Sequence, residues 1–116
     1  RERVAMSAKD YAVDVRKYAP DCDEDVVAGL VRHFGIALQG ADSALVSCSD
    51  PEERARVRDG FLKKKLGRAE SDAELDEAIL AICERMKDTR QKSRVTFCYL
   101  LAERYGQLDL FRKTSA

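Results

Sequence analysis

The run Val95-Thr96-Phe97-Cys98-Tyr99-Leu100-Leu101-Ala102 constrains what this chain can fold into more than any other stretch. Taken alone, its β-branched and aromatic residues suit a buried strand. A strand needs a partner for its backbone, and no second segment offers itself as one. The run also continues through Glu103-Arg104-Tyr105-Gly106, a helical pattern with glycine as its stop. It therefore reads as a helix that is apolar nearly all round, and such a helix belongs at the centre of a globule. The fold class that follows is all-α.

Four further helices are punctuated in the sequence. Tyr11, Val15 and Tyr18 recur at helical spacing until Pro20 forces a stop. From Asp23, the set Val26, Val27, Leu30, Val31 and Phe34 forms one stripe that Gly35 ends. Asp50-Pro51-Glu52-Glu53 supplies an N-cap, a proline at the first helical position and an acid at the third. Val57, Phe61, Leu62 and Leu66 give that third helix its buried face, and Gly67 ends it. Gly60, in its middle, costs about 1 kcal/mol against alanine, which predicts a close helix crossing there. Ser71-Asp72-Ala73-Glu74 is a capping box ahead of Leu75, Ile79, Ile82 and Met86. Residues 36–49 read as a connection carrying one short helical segment, and Leu108, Leu110 and Phe111 as a short anchor folded back on the core. Residues 1–7 and 112–116 are expected as tails around one domain spanning 8–111, a compact bundle of about five helices. Met6 followed by Ser7 marks an alternative start.

Apolar residues make up 45% of the chain, enough for a core, and no apolar run approaches the roughly 20 residues that cross a bilayer. With no hydrophobic signal region in residues 1–8, the expectation is a soluble, cytoplasmic protein without membrane contact. Cys22, Cys48, Cys83 and Cys98 form no C-x-x-C pair, and the single histidine, His33, stands alone on a helix, so no metal or other cofactor is expected. The thiols are expected reduced, Cys83 and Cys98 packing as small hydrophobes and Cys22 and Cys48 more exposed. Asp21, Asp23 and Asp25 alternate as in a calcium loop, but Val26 and Arg32 replace the required glycine and glutamate. They fit a helix start instead. No nucleophile elbow, phosphate loop or metalloprotease motif occurs, which leaves His33 with a thiol as the one enzymatic pairing.

Twenty-one basic residues balance twenty-one acidic ones, yet the signs are segregated. Residues 1–50 are acidic on balance and 51–68 basic; 69–84 contain acids alone, and 85–116 are basic. Lys63, Lys64, Lys65 and Arg68 close the third helix, where the dipole favours cations without any ligand. Arg90, Lys92 and Arg94 precede or open the fifth, where the dipole repels them. Something anionic belongs beside them. Acidic residues of the second or fourth helix would serve, as would a phosphate or nucleic-acid backbone. Only 7% of residues are aromatic, and the tyrosines fall at core spacing, so no base-stacking platform is expected.

The strings Lys9-Asp10-Tyr11-Ala12, Arg58-Asp59-Gly60-Phe61-Leu62-Lys63-Lys64-Lys65-Leu66-Gly67, Lys92-Ser93-Arg94-Val95-Thr96-Phe97 and Tyr99-Leu100-Leu101-Ala102-Glu103 resemble a small bacterial family, domain of unknown function 2853, seen largely in proteobacteria. The resemblance runs from about Met6 to Phe111. It implies an all-helical domain with helix pairs arranged somewhat as in the EF-hand superfamily, without calcium ligands. It brings no activity, substrate or catalytic residue, and a shared architecture carries no function by itself. The leading expectation is a non-enzymatic module that binds another protein or itself. Phosphate or nucleic-acid binding through Lys63, Lys64, Lys65, Arg68, Arg90, Lys92 and Arg94 is the alternative, and an enzyme using His33 and a thiol the third.

Overall fold

The computed structural model describes residues 8–40 and 43–112; the expected tail 1–7, Met6 included, and residues 113–116 lie outside them. Five α-helices follow one another: α1 (Ala8–Val15), α2 (Glu24–Phe34), α3 (Pro51–Arg56), α4 (Asp72–Arg85) and α5 (Arg94–Arg104). A 3-10 turn, Gly35–Gln39, follows α2, and another, Leu108–Phe111, closes the chain. The start signals work as read. Asp23 and Asp50 each accept from the backbone N–H two residues on, and Ser71 and Glu74 complete the capping box. α5 sits at the centre, with α1, α2 and α4 packed around it, and all of Val95–Ala102 is buried.

Several expectations are corrected. Residues 36–49 do form a short helical turn, but they also carry a strand, β1 (Leu45–Val46), antiparallel to β2 (Lys92–Ser93) with Leu45 opposite Ser93 and Val46 opposite Lys92. Two residues are too few for periodicity to reveal a strand. The ladder joins the loop between α2 and α3 to the loop between α4 and α5, so two helix–loop–helix units are coupled through their loops.

The third helix does not stay an α-helix: Val57–Lys65 winds as a π-helix, closed by Leu66 N–H donating to the Phe61 carbonyl. Gly60 marks no helix crossing, since a Cβ there would meet nothing within 4 Å. The close approach is at Gly29, where the backbone of Phe111 lies against α2. Phe111 is buried as the expected anchor, whereas Leu110 is half exposed.

The cysteines are not all reduced. Cys48, two residues after β1, is bonded to Cys83 near the end of α4, with their Cα atoms 5.9 Å apart. The pairing depends on the loop folding against α4, which spacing in sequence does not report. Cys22 and Cys98 remain thiols.

The start of α2 is tied to α5 and to Arg112, the last described residue. Asp23, the N-cap of α2, donates its backbone N–H to the Tyr99 hydroxyl at 3.0 Å and pairs through its carboxylate with Arg112 at 2.7 Å. The Arg112 guanidinium holds the Asp23 carboxyl below its ordinary value. A depressed folded-state pKa contributes stability that is complete above the unfolded value of about 4 and is lost as pH falls through the folded one. Amide exchange around Leu108–Phe111 is therefore expected to accelerate from pH 4 downward, before α5 responds. Unchanged relative protection across that window would contradict the role given to the pair.

Candidate functional site

The anion expected near the start of α5 is a carboxylate of the protein itself. Glu53, in the first turn of α3, sits 3.2 Å by both oxygens from Arg94 Nη2. It comes from the third helix, where the second or fourth had been expected. Arg94 also donates to the carbonyls of Ser43 at 2.6 Å and Leu45 at 3.1 Å, and its backbone N–H to Ala44 at 2.9 Å. Its side chain is only 14% exposed and that of Glu53 11%. Thr96, two residues further on, donates its hydroxyl to Asp14 of α1. Two protein carboxylates, Glu53 and Asp14, thus take the side chains of the first turn of α5, which is largely buried.

The other cations separate by fate. Lys63 pairs with Asp72 at 2.6 Å and Asp59 at 3.4 Å, and Arg68 with Glu70 at 2.5 Å while stacking on Tyr105. Lys92 donates to the Thr89 carbonyl at 2.6 Å, and Lys65 lies over the Phe111 ring. Lys64 and Arg90 are exposed and make no ion pair with a described residue. The two clusters are not brought together. Glu53 ties Arg94 to the beginning of the third helix and the lysines stand at its end, roughly 15 Å away at a helical rise.

The Arg94–Glu53 pair forms one side of a groove. Phe34, Ala37, Ser43 and Arg56 complete a hollow of about 400 Å³ whose surface is mostly apolar. Through Phe34, Arg56 and Arg94 it runs on into a second hollow of about 140 Å³ reaching His33, Val57, Gly60, Phe61 and Cys98. The elements explain the opening. Gly35, at φ 51°, ends α2 and turns the chain so that Ala37 and Ser43 form one wall, joined by the Ser43 hydroxyl donating to the Ala37 carbonyl. The π-helix supplies the opposite wall, with no side chain at Gly60. Beside the groove, Ile36 is 80% exposed.

Of the groove, sequence reasoning named only Arg94 as a binding candidate and His33 as a catalytic one. Phe34 and Val57 read as core-stripe residues, and Glu53 as the acid of a helix-start signal. The available signal was Arg94 itself, a cation misplaced at a helix start, which demanded a carboxylate without saying which.

His33 and Cys98 do line the same hollow, yet they make poor catalytic partners. Cys98 is wholly buried, which pushes its thiol far above the range where a thiolate exists at neutral pH. Burial, with Lys65 nearby, lowers the pKa of His33, and its ring packs edge-on against Phe34 and Phe111. Cys22, the other thiol, is also raised by burial. No group of three or more His, Cys, Asp or Glu able to hold a metal forms among the described residues. Among the described residues no helix is long and apolar enough to cross a membrane.

No curated protein matches the chain. A family profile described as a protein of unknown function, DUF2853, matches residues 10–109, nearly the whole helical domain including both walls of the groove, and the chain belongs to that family.

Proposed function

We propose that this protein is a non-enzymatic docking module whose groove takes a short segment of a partner protein, one that presents a bulky apolar side chain next to a carboxylate. The observation that carries the reading is the charge and polarity of the groove. Two guanidiniums, Arg56 and Arg94, face a single carboxylate, Glu53, over a mostly apolar floor. An apolar side chain fills the floor by the hydrophobic effect, and the surplus positive charge selects an acid over a base beside it. Half-buried Phe34 lines the groove, and Ile36, 80% exposed, precedes Ala37 of its wall. The setting we assign is cytoplasmic, and there the module works by recognition.

Two peptides test this: one alternating leucine with glutamate, the other leucine with lysine, each titrated into the labelled chain by NMR. The acidic peptide is expected to shift the amides of Phe34, Ala37, Ser43 and Arg56. Arg56→Ala should weaken it about tenfold, the share of one charge-assisted contact, at little cost to the fold because Arg56 is exposed and its contact with Glu53 is long, at 3.9 Å. Equal binding of both peptides, or shifts confined elsewhere, would overturn the reading. A single-stranded oligonucleotide at low salt is the third arm. Shifts at Lys64 and Arg90 with an untouched groove would move the function to phosphate recognition. Sedimentation across concentration reads the last alternative, in which a second copy of the chain occupies the groove.

A further inference from the structure

We infer that the Cys48–Cys83 disulfide is a reversible latch on one wall of the groove, so that docking depends on the thiol redox state; the binding consequence rests on the docking reading above. The bond fastens the loop that carries Ser43 and β1 to α4, across 35 residues of sequence. Without it, that loop keeps few anchors. They are the two-pair ladder with β2, the bonds to Arg94, whose side chain takes the Ser43 and Leu45 carbonyls and whose N–H takes Ala44, the Arg54 guanidinium on the Cys48 carbonyl, and the buried side chain of Val46.

A two-residue ladder is marginal in water, so the loop is the part of the molecule poised to open locally. The core does not share that weakness. Val95–Ala102 is buried, and three helices, α1, α2 and α4, pack against α5.

The bond is also placed to be reached. Both cysteines are only partly buried, so a small thiol can approach the bond from solvent. In a compartment where small thiols are kept reduced, a disulfide is transient by default. The step is a thiol–disulfide exchange with a dithiol. Its thiolate attacks one sulfur, the Cys48–Cys83 bond breaks, and its second thiol closes the reductant's own disulfide. The two cysteines gain two electrons and two protons, and the dithiol loses the same.

The test uses the full chain, oxidised and then treated with dithiothreitol, followed by amide hydrogen exchange. Exchange at Ala44–Val46 and Arg94 is expected to rise at least tenfold on reduction while Leu100 and Leu101 keep their protection. The variant C48S/C83S should show the reduced pattern in both conditions. Should that variant not fold, reduction of the native chain gives the same reading. A uniform loss of protection through α5 would make the bond a structural staple and overturn the latch, as would unchanged loop exchange. Equilibration against glutathione pairs adds a second criterion: the bond must exchange within their range, and a bond that resists them is no switch.

The acidic peptide then separates the two proposals. Binding lost on reduction supports both. Equal binding before and after overturns the control of docking while leaving the groove as a docking site. Absence of peptide binding, with the loop opening on reduction, overturns the docking reading and leaves the latch standing.

Discussion

Replacing Arg94 with alanine is expected to cost about 3–5 kcal/mol of folding stability, the range for stranding one partner of a buried ion pair. Glu53, at 11% exposure, would be left with no cationic partner but the exposed Arg56 at 3.9 Å. The carbonyls of Ser43 and Leu45 would lose their side-chain donor as well. Arg94→Lys should recover only part of the loss, because one ammonium cannot reproduce the spread of a guanidinium over a carboxylate and two carbonyls. Urea unfolding of the single variants and of the double variant with Glu53→Ala measures this. The double should lose less than the two singles added together, since removing both charges strands neither. A loss under about 1 kcal/mol for Arg94→Ala would mean the pair is solvated and the groove wall is held by something else.

The second large effect concerns two glycines for which helix propensity alone predicts the same result. Gly→Ala in a helix interior gains about 1 kcal/mol from propensity. At Gly60 nothing opposes that gain, since the added methyl meets open space, and the substitution is expected to stabilise by about 0.5–1 kcal/mol. At Gly29 the methyl would stand 2.0 Å from the Phe111 carbonyl oxygen and 2.9 Å from the Phe111 Cβ. The near atom is backbone, so it cannot rotate away. Overpacking of this kind costs about 1–3 kcal/mol and sometimes more, which exceeds the propensity gain. A net loss of about 2 kcal/mol is expected, together with faster exchange at Leu108–Phe111. If both alanine variants were stabilised, the packing of the C-terminal turn on α2 would be wrong.

These expectations divide along the line between what local chemistry encodes and what packing decides. Helix starts were legible because their signals lie within four residues, as at Ser71–Glu74. The burial of α5 was legible because a continuous apolar face has one solution in water. Three features were not. The two-residue ladder is shorter than any period. The Cys48–Cys83 partnership depends on where a loop lands, and four cysteines leave the choice open. The conversion of the third helix to π winding at Val57 has no sequence signature in Gly60 or its neighbours, and we have no physical account of why it begins there. The groove was half legible: Arg94 announced an unmet charge, while the residues that meet it come from segments up to 51 positions away.

The junction at Asp23 bears on how the chain is made. α2 takes its cap contacts from Tyr99 and Arg112, and Arg112 follows Asp23 by 89 residues. At ribosomal speeds of about 5–20 residues per second, those partners emerge roughly 4–18 s after the site they complete. Until then α1 and α2 lack the surface of α5 on which they pack, and their apolar stripes face water. Consolidation of α1 and α2 is therefore a late event that waits on the synthesis of α5 and Arg112.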